Sequence, residues 1–203
     1  MEFDPPKGPA RGAIKTAALY TVAIGVLVIA SLIYVPLCVA LLPSRSLRIR
    51  LGNLYGKLVG PLIFGLAGIR PVVHNATRIA ETFPAIYVCN HTSTADMWLG
   101  MWLCPYGGCG VAKQEIRYLP FFGQAYWLSG HLLIDRGNHD RALASMVKVR
   151  GVMRKHKLGV WMWPEGTRSL DGRLRPFKKG FVHLAIAARL PVVPVVFHNA
   201  DVH

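Results

Sequence analysis

The sequence predicts an α/β protein, with an N-terminal membrane-embedded helical segment followed by a domain built on a mostly parallel sheet. Three observations carry that prediction. Short apolar runs near 85–89, 109–112, 131–134, 158–163 and 192–197 alternate with helical stretches near 94–104, 138–156 and 177–189, the pattern of strands joined by helical crossovers. From Thr16 to Leu42 no residue is charged, a run of about 27 that would reach roughly 40 Å as a helix, against about 30 Å of bilayer hydrocarbon. No internal repeat, heptad array or low-complexity segment points to another architecture.

Residues 1–12, with Pro5, Pro6, Gly8, Pro9 and Gly12, read as a mobile tail. The apolar run that follows is too long for a signal peptide, and no clear small-x-small cleavage site closes it. Pro36 is expected to interrupt its helix. A second apolar stretch, Leu58 to Ile69, contains Gly60, Pro61, Gly65 and Gly68. Lys7, Arg11 and Lys15 precede the first run and Arg45, Arg48, Arg50 and Lys57 follow it, so the positive-inside rule draws both flanks to the cytoplasm. A helical pair dipping into one leaflet satisfies those charges; a single span is the competing arrangement. Residues 13–70 are thus assigned to membrane-associated helices and 71–203 to the α/β domain.

Composition narrows the class of partner. Of 203 residues 52% are hydrophobic, and 24 Lys and Arg face 10 Asp and Glu, a formal net charge of +14. Mean hydropathy is +0.33. Soluble nucleic-acid binders are rarely so apolar, and no nucleic acid is expected. An anionic membrane surface is, because each basic residue near anionic headgroups gains roughly 1 kcal/mol. Arg141, Lys148, Arg150, Arg154, Lys155 and Lys157 lie on or just beyond the helix expected from Asn138 to His156, as a solvated or a lipid-facing surface. Cys38, Cys89, Cys104 and Cys109 sit in apolar surroundings and read as reduced core residues, which fits a cytosolic active face. The scattered His and Cys lack zinc-ligand spacing, so no metal is expected.

Two blocks carry chemistry. In Asn90-His91-Thr92-Ser93-Thr94-Ala95-Asp96 an imidazole precedes a carboxylate by five positions, too far round a helix for the two to sit side by side. Ser93 and Asp96 read as a capping box, with Asp96 in the first turn of a helix and His91 in the loop ahead of it. That is a proton-transfer pair at the carboxyl end of a strand, where open α/β sheets gather ligands. The second block, Trp163-Pro164-Glu165-Gly166-Thr167-Arg168-Ser169, follows another buried run. Gly166 lets backbone approach a ligand, Thr167 offers a hydroxyl and an N–H, and Arg168 suits bidentate phosphate recognition.

These blocks resemble those of the 1-acylglycerol-3-phosphate O-acyltransferases and related glycerolipid acyltransferases, which carry Asn-His-x-x-x-x-Asp and Phe-Pro-Glu-Gly-Thr-Arg-Ser. Gly130-His131-Leu132-Leu133-Ile134-Asp135-Arg136 resembles the family's Gly-x-x-Phe-Ile-x-Arg, and Leu190-Pro191-Val192-Val193-Pro194-Val195 its Val-Pro-Ile-Val-Pro-Val. Ala112-Lys113-Gln114-Glu115 with Pro120-Phe121-Phe122-Gly123 looks like the segment between the first two blocks. The resemblance spans roughly residues 51 to 198.

It implies a glycerolipid acyltransferase domain at a bacterial inner membrane or its equivalent, with the active face cytoplasmic. His91 is expected to act as general base, supported by Asp96, moving an acyl group from acyl-CoA or acyl carrier protein to the free hydroxyl of 1-acylglycerol 3-phosphate. Arg136 and Arg168 would hold the acceptor phosphate, with Glu165 ordering the clamp or the glycerol hydroxyls and Lys113 adding a charge. The partners are then a lysophospholipid acceptor and an acyl thioester donor, with no cofactor. Lys178 and Lys179 face the phosphate, the anionic carrier or solvent. Open alternatives are an acyl-enzyme on Cys89 or Ser93, another lysophospholipid, glycerol 3-phosphate or an amino-acid lyso-lipid as acceptor, a hydrolase, and a non-enzymatic basic module that binds anionic lipid. The family usually continues beyond the last block, so a truncated or short member is expected.

Overall fold

Five short strands form one sheet in which every neighbouring pair is parallel. They are β1 (Ile86–Cys89), β2 (Gly108–Lys113), β3 (Leu132–Ile134), β4 (Gly159–Met162) and β5 (Val192–Val195), in the order β3-β2-β4-β1-β5. The computed structural model describes residues 13–93, 95–119, 122–135, 139–169, 171 and 173–198, with backbone alone for 13–16, 122 and 139–143. The tail expected over 1–12 lies outside them. Helices α1 (Ala13–Ala40), α2 (Arg45–Leu66), α3 (Ala76–Glu81), α4 (Ala95–Leu103), α5 (Phe122–Leu128), α6 (His139–His156) and α7 (Gly180–Ala188) connect and cover the strands.

Burial on both faces explains why β1 and β4 read as continuous apolar runs: every residue of each is buried. Their alternation still assigns sides. Ile86, Val88, Val160 and Met162 join Val149 and Met153 of α6 and Leu184 of α7 in one cluster, while Tyr87, Cys89 and Trp161 pack with Cys104 and Phe197 in another, against Leu99 and Leu103 of α4. In register, Ile86 lies between Val160 and Val192, so the loops leaving β1 and β4 emerge side by side.

Helix α1 runs through Pro36 to Ala40, where an interruption was expected. A proline removes one N–H, and in an apolar setting the surrounding turns keep the helix because their own backbone groups have no better partner. Ala17–Ala40 is long and apolar enough to cross a bilayer, the one such helix among the described residues. The second apolar stretch is the later half of α2, which begins at Arg45 and passes through Pro61.

Helix α2 belongs to the α/β unit by its packing. Asn53 is buried, donating to the Gly108 carbonyl (2.9 Å) and accepting from the Gly107 N–H (2.8 Å), which pins α2 to the start of β2. Gly56 and Gly60 allow α4 to close on it. A Cβ at Gly56 would stand 2.3 Å from the Met101 carbonyl oxygen, and one at Gly60 would stand 2.8 Å from Cβ of Trp102. Two arginines that the sequence offered as topology charges also have internal partners. Arg45 Nε donates to the Gly130 carbonyl (2.8 Å), and Arg48 donates to that of Leu128, completing the carboxyl end of α5.

The four cysteines are free and buried. On α6, Lys148, Arg150, Arg154 and Lys155 are exposed, as is Lys157 just after it.

Candidate active site

The loop after β1 is folded around one carboxylate. Asp96, fully buried in the first turn of α4, accepts through Oδ2 from the backbone N–H groups of Thr92 (2.6 Å) and Ser93 (2.8 Å) and lies 3.0 Å from His91 Nδ1. The Ser93 N–H contact is the return half of the expected capping box; the Ser93 hydroxyl accepts from Ala95 N–H at 3.1 Å. A carboxylate against Nδ1 places the ring proton there and leaves the Nε2 lone pair free to accept one. The pair is equipped for general-base chemistry, with the carboxylate positioned to support an imidazolium. Trp163 stands beside the ring at 5.3 Å between centroids, the two planes tilted by 35°.

His91 is gripped at both backbone atoms by the loop after β4. Its N–H donates to Glu165 Oε1 at 2.7 Å, and its carbonyl accepts from the Ser169 N–H at 2.8 Å. Glu165 is 3% exposed, and its other oxygen accepts from the Arg175 N–H at 3.0 Å. Both carboxylate oxygens therefore hold backbone. Between these anchors Gly166 takes φ +79°, a left-handed turn that glycine adopts without strain, and Thr167 and Arg168 are exposed on it. Lys113 is exposed at the carboxyl end of β2. Arg136 lies outside the described residues. The structure thus brings together His91, Asp96, Glu165 and the turn that carries Gly166, Thr167 and Arg168.

Asn90 is a further organiser. Its side chain donates to the Phe197 carbonyl (2.8 Å) and accepts from the Phe197 N–H (2.7 Å), tying the exit of β1 to the chain just past β5. Its place beside His91 in the first block was the available signal. Cys89 is 1% exposed, and burial pushes its thiol well above the ordinary range, so it is no nucleophile at neutral pH. Among the described residues no cluster of three or more His, Cys, Asp or Glu has a metal-binding arrangement.

An apolar groove of about 820 Å³ opens along α4, with neither His91 nor Asp96 in its lining. It runs along α4 past Ala95, Leu99 and Leu103, with Val193 and Val195 of β5 among its lining residues and Arg70 and Arg78 also contributing.

Residues 70–198 match the family model described as Acyltransferase. The chain belongs to the acyltransferase family. It is 48% identical over 158 residues to a 1-acyl-sn-glycerol-3-phosphate acyltransferase of Limnanthes alba, covering 78% of this chain and 56% of that one. It is 42% identical to the Cocos nucifera enzyme of that name (84% and 54% covered) and 38% identical to that of Escherichia coli strain K12 (71% and 57%). This acyltransferase-family chain therefore spans little more than half the length of those relatives. In fold it is similar to the crystal structure of the 1-acyl-sn-glycerophosphate (LPA) acyltransferase PlsC from Thermotoga maritima, with a TM-score of 0.70 at 22% identity over 89% of this chain and 73% of that one.

Proposed function

We propose that this chain transfers a fatty acyl group from a thioester to the free hydroxyl of 1-acylglycerol 3-phosphate, giving phosphatidic acid and free thiol at the cytoplasmic face of a membrane. The observation that carries the reading is the double backbone grip of His91 by Glu165 and Ser169, which sets the Arg168 turn beside the dyad. A phosphomonoester held by Arg168, with Arg136 and Lys113 as the family resemblance implies, brings the neighbouring alcohol to Nε2 of His91. As the alcohol oxygen bonds the thioester carbonyl carbon, its proton passes to Nε2 while Asp96 supports the imidazolium. Collapse breaks the carbon–sulfur bond, and the thiolate leaves with the proton from the imidazolium. The groove beside α4 falls in the size range of small-molecule sites, and its apolar walls suit an alkyl chain. The names carried by the relatives support the same substrate, and the apolar Ala17–Ala40 helix supports the membrane setting.

The test is thiol release from acyl-CoA and from acyl carrier protein, with and without acceptor. Release should require acceptor, and His91→Ala should lower it by about 10²–10⁴-fold with the thermal midpoint kept. Retained turnover would remove His91 as base, and free fatty acid formed without acceptor would make the protein a hydrolase. Equal use of acceptors lacking phosphate would remove the Arg168 clamp. Liposome binding with no transfer to any acceptor would leave a lipid-binding module.

A further inference from the structure

The segment from Arg173 to Lys179 forms a basic strap tied to the loop after β4. Arg173, Arg175, Lys178 and Lys179 are exposed, and none makes an ion pair within 4 Å among the described residues. The nearest acid, Asp171, is turned to local bonds. It accepts from the Ser169 hydroxyl (2.6 Å) and the Arg173 N–H (3.2 Å), which hold its carboxyl below the usual range with help from the Arg175 charge. Although its side chains point to solvent, the strap has a fixed backbone. The Arg175 N–H is bonded to Glu165, and the Lys178 N–H donates to the Pro164 carbonyl at 2.9 Å. Apolar residues are interleaved with the cations: Leu174 is 65% exposed and Phe177 42%. The Phe177 ring is braced edge-on by Phe181 of α7, centroids 6.3 Å apart at 80°, while much of it stays open to solvent.

We propose that this strap binds the nucleotide end of a coenzyme A thioester, its cations on the phosphates and Phe177 against the purine. The proposal rests on the acyl-transfer reading above and names a donor subsite separate from the acceptor clamp. An acceptor phosphomonoester carries a charge of only about −1.5 to −2, which Arg168 and its expected partners already meet. Four more cations match the three phosphoryl groups of the donor nucleotide, and an exposed braced ring is what a flat base stacks on. Reach agrees as well. Glu165 ties the strap's third residue to the backbone of His91, and from Arg173 to Lys179 an extended chain spans up to roughly 20 Å. The Lys178 N–H bond to Pro164 keeps the later cations beside the same loop.

The experiment measures coenzyme A binding to the full chain by calorimetry, without turnover, in wild type and in Lys178→Ala/Lys179→Ala, Arg173→Ala and Phe177→Ala. These side chains are exposed, and Phe177 alone among them has a ring contact, edge-on to Phe181. Affinity should fall about tenfold or more for the cation variants, and removing the 3′-phosphate from the ligand should weaken wild-type binding but cost the double variant less. In turnover, the variants should raise the KM for acyl-CoA, leave that for lysophosphatidic acid within about twofold, and match wild type with an acyl-pantetheine donor that has no nucleotide. An equal loss with acyl-pantetheine, a rise confined to the acceptor KM, a loss confined to acyl carrier protein, or a change only in vesicle binding would each overturn the donor subsite. Coenzyme A binding that depends on the strap while no acceptor is acylated would sink the transfer reading and leave the strap standing. Transfer from acyl-CoA that ignores the strap would do the reverse.

Discussion

The loop leaving β1 and the loop leaving β4 lie side by side, and their polar groups turn opposite ways. Around Asp96 every contact is internal: one carboxylate oxygen gathers the His91 ring and two backbone N–H groups with no exposure at all. Beyond Glu165 the backbone is just as firmly tied, yet Thr167, Arg168, Arg173, Arg175, Lys178 and Lys179 all face solvent. One loop fixes an imidazole; the other fixes a frame and presents charge. The contrast teaches that a rigid backbone and an open electrostatic surface are compatible, because a buried acceptor, Glu165, satisfies the main chain from beneath.

The strongest way to break this contrast is Asp96→Asn. With an amide in place of the carboxylate, the His91 tautomer is no longer imposed, and kcat should fall by about 10³–10⁴-fold with little change in acceptor KM. A steady-state assay that finds both parameters near wild type would show that the inward loop does not set the chemistry. Glu165→Gln tests the link between the loops. One amide oxygen still accepts, the other position becomes a donor facing an N–H, and about 1–3 kcal/mol of stability should be lost. The kcat should drop by roughly tenfold or more while KM values for both substrates rise, and urea denaturation together with kinetics reads the two effects separately.

At the other edge of the sheet, just before β3, a histidine sets an acid limit. His131 Nδ1 accepts from the Gly110 N–H at 3.0 Å, and burial first, then the Arg45 charge, pushes its pKa down to about 4. A histidine whose folded value lies below its unfolded one, about 6.5, contributes stability fully above the unfolded value and loses it as pH falls toward 4. The shift corresponds to about 3 kcal/mol. His131→Asn should flatten the stability profile between pH 6.5 and 4 in denaturant melts, and an unchanged slope would mean that another group sets the limit. The mildest change sharpens the outward side. Arg168→Lys keeps charge but loses the bidentate fork, so acceptor KM should rise by about threefold to tenfold with kcat kept.

The sheet was largely legible because β1 and β4, buried on both faces, must be apolar throughout. The His91 and Asp96 pairing was legible for a local reason: Ser93 and Asp96 stand at capping distance, and a helix start there brings the carboxylate back to the loop. The extent of α2 was obscured because Arg45, Arg48 and Arg50 read as membrane-flank charges, while Pro61 and the glycines read as breakers. Their partners, the carbonyls at the end of α5 and the surface of α4, are distant in sequence. Glu165 beside Gly166, Thr167 and Arg168 reads as a group that orders the clamp or meets glycerol hydroxyls. Nothing in the local pattern announces that both its oxygens meet backbone N–H groups 74 residues back and 10 residues on. The tethering of the strap was hidden for the same cause, since a main-chain donor leaves no mark on residue type.

The close seat of α4 on Gly56 and Gly60 has a further consequence under the proposed membrane setting. The outward side of α2 carries Leu47, Leu54, Leu58, Leu62 and Leu66, all 45% exposed or more. With that side resting on a bilayer, α2 acts as a spacer of fixed thickness, and α4 stands about 8–10 Å above it, axis to axis. The height of α4 and of the His91 loop ahead of it over that surface would then be a property of two missing side chains, and bulkier residues at 56 and 60 would raise both.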